Sequence, residues 1–230
     1  SILAIYIGFT IPELFIDESE QWPDYIVLES ALNIWPSTDH LSVYIKEQNT
    51  RYVRMILLEF SQDIFQNIKF LPFVASVFTV IFTALITIQL SKKRFAGIIA
   101  MLVLLSSVTF TDFDTIAVYE NFWVLFYLMS IYIIQKKWIL SPIFYILSFF
   151  TKAFVAPYFI MTLFFAGKSS ISKKVKLGLL VSYVAIVGIS IMIIFSGDTI
   201  YPSVIEINSS KFFIGIATFA PLLRYDIFLL

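Results

Sequence analysis

The chain has 230 residues, of which 59% are hydrophobic, and its 16 basic and 16 acidic residues give a formal net charge of zero. Soluble globular domains are about 45–50% apolar, so this composition excludes an ordinary soluble domain and predicts an integral membrane protein. Zero net charge without a basic stripe excludes a nucleic-acid partner, and the lack of cysteine excludes disulfides and thiolate metal sites.

Apolar runs close to the length of a membrane-crossing helix, about 20 residues, alternate with short charged clusters. The fold class we predict is an all-α integral membrane protein, a polytopic helix bundle of about seven spans. The predicted spans cover residues 1–15, 68–90, 95–110, 116–134, 138–150, 153–166 and 175–195. An eighth, partial span or an interfacial helix covers 212–230. The short segments 138–150 and 153–166 are interpreted as a helical hairpin.

No linker or repeat divides the chain, so we expect a single transmembrane domain over 1–230. Both ends lie inside apolar runs, which suggests a fragment of a longer protein, truncated at each end. Between the first two spans, residues 16–67 form a long loop, and loops of this length usually carry structure or function.

Three helices are predicted in the 16–67 loop, at about 25–35, 37–48 and 51–67. The third places five apolar side chains on one stripe: Val53, Ile56, Leu57, Phe60 and Ile64. A helix with such a stripe either lies flat in the membrane interface or packs on the bundle as a surface helix. Both alternatives remain open from the sequence.

Orientation follows from the basic residues, which fall on alternate loops at 91–94, 135–137 and 168–176. The positive-inside rule assigns these loops to the cytoplasm. The acidic loops at 16–67, 111–115 and 197–211 then face the extracytoplasmic side. The same alternation places Lys152, between the two helices of the hairpin, near the outer surface.

Two acidic groups on the outer side are candidates for chemistry. Asp17 and Glu18 directly follow the first span, where a carboxylate can act as a general base for an incoming hydroxyl or hold a divalent cation against a phosphate. Asp112 and Asp114, two residues apart in a tight turn, can share a hard metal or bind an acceptor. The alternative for each group is a solvated loop.

Glu120 and Lys152 stand beside apolar segments, where a charge needs a partner or a wet cavity. For Lys152 a phosphate oxygen is the natural counter-ion, and the alternative for both residues is a side chain that reaches the interface. The chain has only 7 glycines and no phosphate-cradling glycine-rich loop. Any transfer reaction would therefore use an already activated substrate.

The order of these features resembles the C-type fold of membrane glycosyltransferases, which includes protein mannosyltransferases, aminoarabinose transferases and oligosaccharyltransferases. Three segments carry the resemblance: the acidic pair Asp17-Glu18 heading a long outer loop, a short second loop with Asp112 and Asp114 that leads into Tyr-Glu-Asn-Phe at 119–122, and Leu-Ser-Phe-Phe-Thr-Lys-Ala at 147–153. The chain departs from the family pattern in having no arginine next to Asp17-Glu18.

The resemblance implies an inverting sugar transfer from a polyprenyl-phosphate donor on the outer side, with Mg²⁺ or Mn²⁺ in some members. On this chain it implies Asp17 as the base with Glu18 assisting, and Asp112, Asp114 or Glu120 binding the acceptor. It also implies Asp112 and Asp114 as metal ligands and Lys152 beside the donor phosphate. Membrane lipids are the expected surroundings. The alternatives are a non-catalytic membrane subunit of a larger complex and, third, a transporter.

Overall fold

The computed structural model describes residues 2–19, 22–35, 51–152, 155 and 158–195, and every element in these ranges is a helix. The all-α prediction is confirmed for them. The helices are α1 (Ile2–Thr10), a 3₁₀ helix (Ile11–Phe15), α2 (Asp24–Ile34), α3 (Tyr52–Phe65), α4 (Phe70–Ser91), α5 (Arg94–Leu105), α6 (Val108–Asp112), α7 (Phe122–Ile133), α8 (Leu140–Thr151), α9 (Phe159–Lys168) and α10 (Lys173–Phe195). The predicted elements at 37–48, 197–211 and 212–230 lie outside the described residues.

Local chemistry sets several helix ends. Pro12 follows α1 and lacks the N–H that an α-helix would use there, and the chain tightens into the 3₁₀ helix. Gln66 and Lys92 end α3 and α4 in the left-handed conformation, with φ of 54° and 59°, and their N–H groups bond back to Gln62 and Ile88. This is a common helix stop.

Helix α4 is the centre of the packing, in contact with α3, α5 and α7. Its buried face carries small side chains such as Ala75, Ser76 and Ala84. Gly97 brings α5 close to this face, because a Cβ at that position would lie 2.6 Å from Ile88 Cγ1. Within the described residues, α4 is the one helix long and apolar enough to cross a membrane, by length and composition alone.

Two apolar clusters form the core. One joins α2, α3 and α4 to the segment before α7, and its buried members are Leu28, Ala31, Met55, Leu58, Ala75, Ile116, Ala117, Val118 and Phe122. The other joins α7 and α8 to α9 and α10, and its buried members are Tyr127, Ile131, Ile134, Tyr145, Val155, Ala166, Leu179 and Tyr183. Through the first cluster, helices α2 and α3 of the 16–67 loop pack against residues 116–118.

Three predicted spans have different boundaries in the structure. The helix predicted at 116–134 begins only at Phe122, because residues 116–121 form a buried, non-helical segment. The one predicted at 95–110 breaks after Leu105, and α6 then starts from Ser107, whose side chain accepts a hydrogen bond from the Phe110 N–H. For the one predicted at 153–166, the structure has α9 over Phe159–Lys168, and residues 153, 154, 156 and 157 lie outside the described residues.

The third loop helix, α3, is confirmed, but it packs through a different face from the predicted stripe. Its buried residues are Arg54, Met55, Leu58 and Ser61. Ile56, Phe60 and Ile64 are about half exposed, at 51%, 49% and 56%. Leu57, by contrast, packs against the first cluster. Helix α3 therefore packs on the bundle, and three residues of its predicted stripe face outward.

Candidate functional site

The candidate site is built around the strap, the non-helical segment 113–121 that leads into α7. Glu18 accepts hydrogen bonds from the backbone N–H groups of Ala117 and Val118, at 3.1 and 2.9 Å. From the other side, Arg54 Nη2 donates to the carbonyl oxygens of Ala117 and Val118, at 3.2 and 2.9 Å. The strap has no helix of its own, and these two charged side chains satisfy the buried backbone groups of residues 117 and 118.

Arg54 also forms a buried ion pair with Glu120, with 2.8 Å between Nε and Oε2 and side-chain exposures of 1% and 4%. Burial lowers the pKa of Arg54 and raises the pKa of Glu120, and their mutual attraction opposes both changes. A fully buried charge is tolerated when it is paired and hydrogen-bonded. The partner that the sequence predicts for the Glu120 charge is therefore Arg54 in α3, more than sixty residues away in the chain.

Glu18 is 3% exposed, so it is not a solvated loop acid. Burial raises the pKa of Glu18, while the bonds from Val118 and Ala117 oppose the increase. Because both carboxylate oxygens already accept backbone hydrogen bonds, Glu18 positions the strap.

Asp17, the neighbouring acid, is exposed and its Oδ1 accepts two hydrogen bonds from Ser19, from N at 2.9 Å and from Oγ at 2.8 Å. These bonds hold the pKa of Asp17 below its ordinary value, with a smaller contribution from the charge of Lys69. Asp17 is thus an ionised carboxylate at the surface. Adjacent in sequence, Asp17 and Glu18 have different surroundings.

Lys152 follows the last turn of α8 and is partly buried. Its Nζ lies 5.9 Å from the centre of the Trp123 ring. Glu120 attracts it, whereas Arg51 and Arg54 repel it. Within the described residues, its ammonium has no hydrogen bond or ion pair.

Asp112 and Asp114 point into different environments although they are two residues apart. Asp112, the last residue of α6, is exposed, whereas Asp114 is 2% exposed. Asp114 Oδ2 accepts a hydrogen bond from the Tyr6 hydroxyl at 2.8 Å, and Oδ1 has no partner in the described chain. Burial raises the pKa of Asp114 to about 7, against the Tyr6 bond and the nearby N–H of Thr115.

A polar cavity of about 250 Å³ opens beside Asp112. Lys69, also in its lining, donates hydrogen bonds to the carbonyl oxygens of Glu13 and Ile16, at 2.6 and 3.2 Å. Glu13 accepts one from Thr115 Oγ1 at 3.3 Å. Sequence reasoning missed Lys69 and Glu13, although a charged residue at the end of an apolar run was a signal available for each.

An apolar groove of about 390 Å³ adjoins this cavity and runs along α1. Ile5, Phe9 and Leu102 are among its apolar residues, and Asp114 belongs to its polar lining. Glu13 and Thr111 line both the groove and the cavity, so the two spaces meet there.

Across the described ranges, no three His, Cys, Asp or Glu side chains are grouped to hold a metal ion. Asp112 lines the polar cavity and Asp114 lines the adjoining groove, and their assignment as a pair of metal ligands stays a prediction.

The chain was compared with models of protein families, with curated proteins and with solved structures. None of the three comparisons found a match.

Proposed function

We propose that the chain is a membrane glycosyltransferase that takes a sugar from a polyprenyl-phosphate donor at the outer surface. The single observation that carries the proposal is the ammonium of Lys152, partly buried and without an ion-pair partner in the described chain. Glu120, the acid that attracts it, is already paired with Arg54. Among the described residues, Lys152 and Arg54 carry two positive charges against the one negative charge of Glu120, which favours an anion such as a phosphate.

A membrane location is supported by α4 and by the surface. The 22 residues of α4 span about 33 Å at 1.5 Å per residue, close to the ~30 Å of a hydrocarbon core. Large apolar side chains stand exposed on several helices, among them Phe9 at 79% and Phe95 at 70%. Lipid would cover them. In this arrangement the Lys69 end of α4 faces outward and the Lys92 end faces the cytoplasm, as the basic loops predict.

The transfer itself needs a base and a leaving group. The acceptor hydroxyl oxygen bonds to the anomeric carbon, and the bond from that carbon to the phosphate oxygen breaks with its electron pair on the departing polyprenyl phosphate. Asp17 takes the hydroxyl proton, since its Oδ2 accepts no hydrogen bond from the described residues and the group is ionised at neutral pH. Attack opposite the leaving group inverts the anomeric configuration.

Other residues support this reaction. Lys152 binds the donor phosphate, Glu18 and Glu120 hold the strap, and Asp112 binds the acceptor from the polar cavity. Asp112 in the polar cavity and Asp114 in the adjoining groove are the acids that would hold a Mg²⁺ or Mn²⁺ ion.

The test uses polyprenyl phosphate, the product common to all such donors, so the identity of the sugar is not needed. We expect Lys152→Met to weaken its binding to the chain in nanodiscs by roughly tenfold, the value of a charge-assisted contact. Binding of the uncharged polyprenol should not change. Lys137→Met, an exposed lysine on another loop, is the matched control. Equal binding of polyprenyl phosphate by Lys152→Met and Lys137→Met would refute the phosphate site.

A second candidate is a non-catalytic membrane subunit. It is favoured by the structural use of Glu18 and Glu120, two of the acids predicted to do chemistry. Asp17→Asn separates the two functions, because loss of sugar release from polyprenyl-phosphate-mannose or polyprenyl-phosphate-glucose with unchanged abundance indicates catalysis. If the chain is a non-catalytic subunit, Asp17→Asn should have no effect. The control substitution Asp63→Asn should have no effect in either case.

A further inference from the structure

The groove along α1 and the polar cavity beside Asp112 are not lined by any residue of the cationic cluster, the set Arg51, Arg54 and Lys152. Their linings have Glu13 and Thr111 in common. One space is mostly apolar and the other is polar, so together they have the form of a site for a molecule with a chain and a head group. The proposed transfer uses Asp112 of this combined space, as the residue that binds the acceptor.

The charges around the cavity differ from those around Lys152. Glu13 and Asp112 line it, and Asp114 lines the adjoining groove, whereas Lys69 is the basic residue of its lining. The Lys69 ammonium is attracted by four carboxylates, those of Glu18, Glu13, Asp114 and Asp17. Carboxylates outnumber the ammonium, which disfavours a phosphate in this cavity.

Hydrogen-bonding capacity identifies the head group more closely. Asp114 Oδ1 is buried and unpartnered in the described chain, so it lacks a donor. Lys69 gives two of its three N–H bonds to backbone carbonyls, and its third N–H has no acceptor among the described residues. A hydroxyl both donates and accepts, and it therefore matches a site that offers carboxylate acceptors and one ammonium donor.

We propose that the groove and cavity bind a neutral amphiphile with a hydroxylated head group, such as a lipid-linked sugar or polyol. The hydrocarbon chain lies against Ile5, Phe9 and Leu102, and a head-group hydroxyl donates to Asp114 Oδ1. The site does not depend on the proposed sugar transfer. If that transfer occurs, this amphiphile is the acceptor class that the site favours.

The experiment uses the chain in phosphatidylcholine nanodiscs and a decyl β-glucoside that carries a diazirine in its alkyl chain. We expect photolabelling to concentrate in 2–15 and 94–105. Unlabelled decyl glucoside should compete with it, whereas decyl phosphate and free glucose at equal concentration should not. This labelling tests only the groove and cavity, whereas polyprenyl phosphate binding tests only Lys152. Either proposal can therefore be refuted without the other.

Two variants make the site falsifiable. Leu102→Trp fills the groove from an exposed position, and Val103→Trp, exposed on the same helix but absent from the groove lining, is its control. Asp114→Asn keeps an acceptor for Tyr6 and removes the second carboxylate oxygen. We expect Leu102→Trp and Asp114→Asn each to reduce specific labelling by roughly tenfold. Labelling spread evenly over the apolar helices, equal labelling of the two Trp variants, or stronger competition by decyltrimethylammonium would overturn the proposal.

Discussion

Replacing Arg54 by methionine tests the ion pair that connects α3 to the strap. The substitution preserves much of the side-chain volume but leaves Glu120 buried at 4% exposure without its counter-ion. It also removes both hydrogen bonds to the strap carbonyls. Breaking one partner of a buried pair costs about 3–5 kcal/mol.

That loss translates into a large change in thermal stability. For a chain of about 150–250 residues, 1 kcal/mol shifts the Tm by about 2–4 °C, so Arg54→Met should lower the Tm by about 6–20 °C. The assay is thermal unfolding in detergent followed by tryptophan fluorescence. Trp22 reports locally, since its ring packs at 5.4 Å from Phe113 and 5.2 Å from Tyr119 in the strap.

The double variant Arg54→Met/Glu120→Leu completes the test. Removing both charges avoids an unpaired buried ion, so the double variant should be more stable than the sum of its single changes predicts. Arg94→Met, at an exposed position, is the control. Additive single effects, or a Tm for Arg54→Met equal to that of Arg94→Met, would refute the argument.

Three further substitutions test other parts of the structure. Glu18→Gln places an amide N–H against one backbone donor of the strap and should cost about 2 kcal/mol, seen as a lower Tm than that of the exposed control Glu29→Gln. The raised pKa of Asp114 means that the folded chain binds this proton more tightly than the unfolded chain, so stability should fall as pH rises from about 4 to about 7. The Tm of Asp114→Asn, measured over the same pH range, should lack this decrease. An identical pH dependence of Tm in the variant and the parent chain would contradict the prediction. Gly97→Ala should lower the Tm by overpacking α5 on Ile88, by about 1 kcal/mol, whereas Gly8→Ala, with no atom within 4 Å of its added Cβ, should not.

The positions of most helices follow from local sequence. Helix α2 lies within one residue of its predicted range, and α4 and α10 within two, because long apolar runs and their charged ends are local signals. The strap is different. Ile116, Ala117 and Val118 have the composition of a span, and the groups that satisfy their backbone come from Glu18 and Arg54, far away in the chain.

The candidate site shows the same limit. Local sequence identifies charged residues beside apolar runs, and Glu120, Lys152 and Asp114 are buried or partly buried in the structure. Local sequence does not tell which of these three charged groups forms an ion pair or a hydrogen bond in the fold. Asp17 and Glu18 are indistinguishable by spacing, yet one is solvated and the other holds two backbone N–H groups. The ion pair of Arg54 depends on a tertiary contact that hydropathy does not encode.

The way in which the strap is held makes part of the site tolerant to sequence change. Glu18 and Arg54 contact the main chain of residues 117 and 118, and every amino acid except proline supplies both the N–H and the C=O that they use. Tight packing limits the size of the side chains at 117 and 118, but Glu18 and Arg54 bond only to main-chain atoms of these two residues. Homologous chains can therefore vary at 117 and 118 among small apolar residues, whereas Arg54 and Glu120, a buried ion pair, must be kept or lost together.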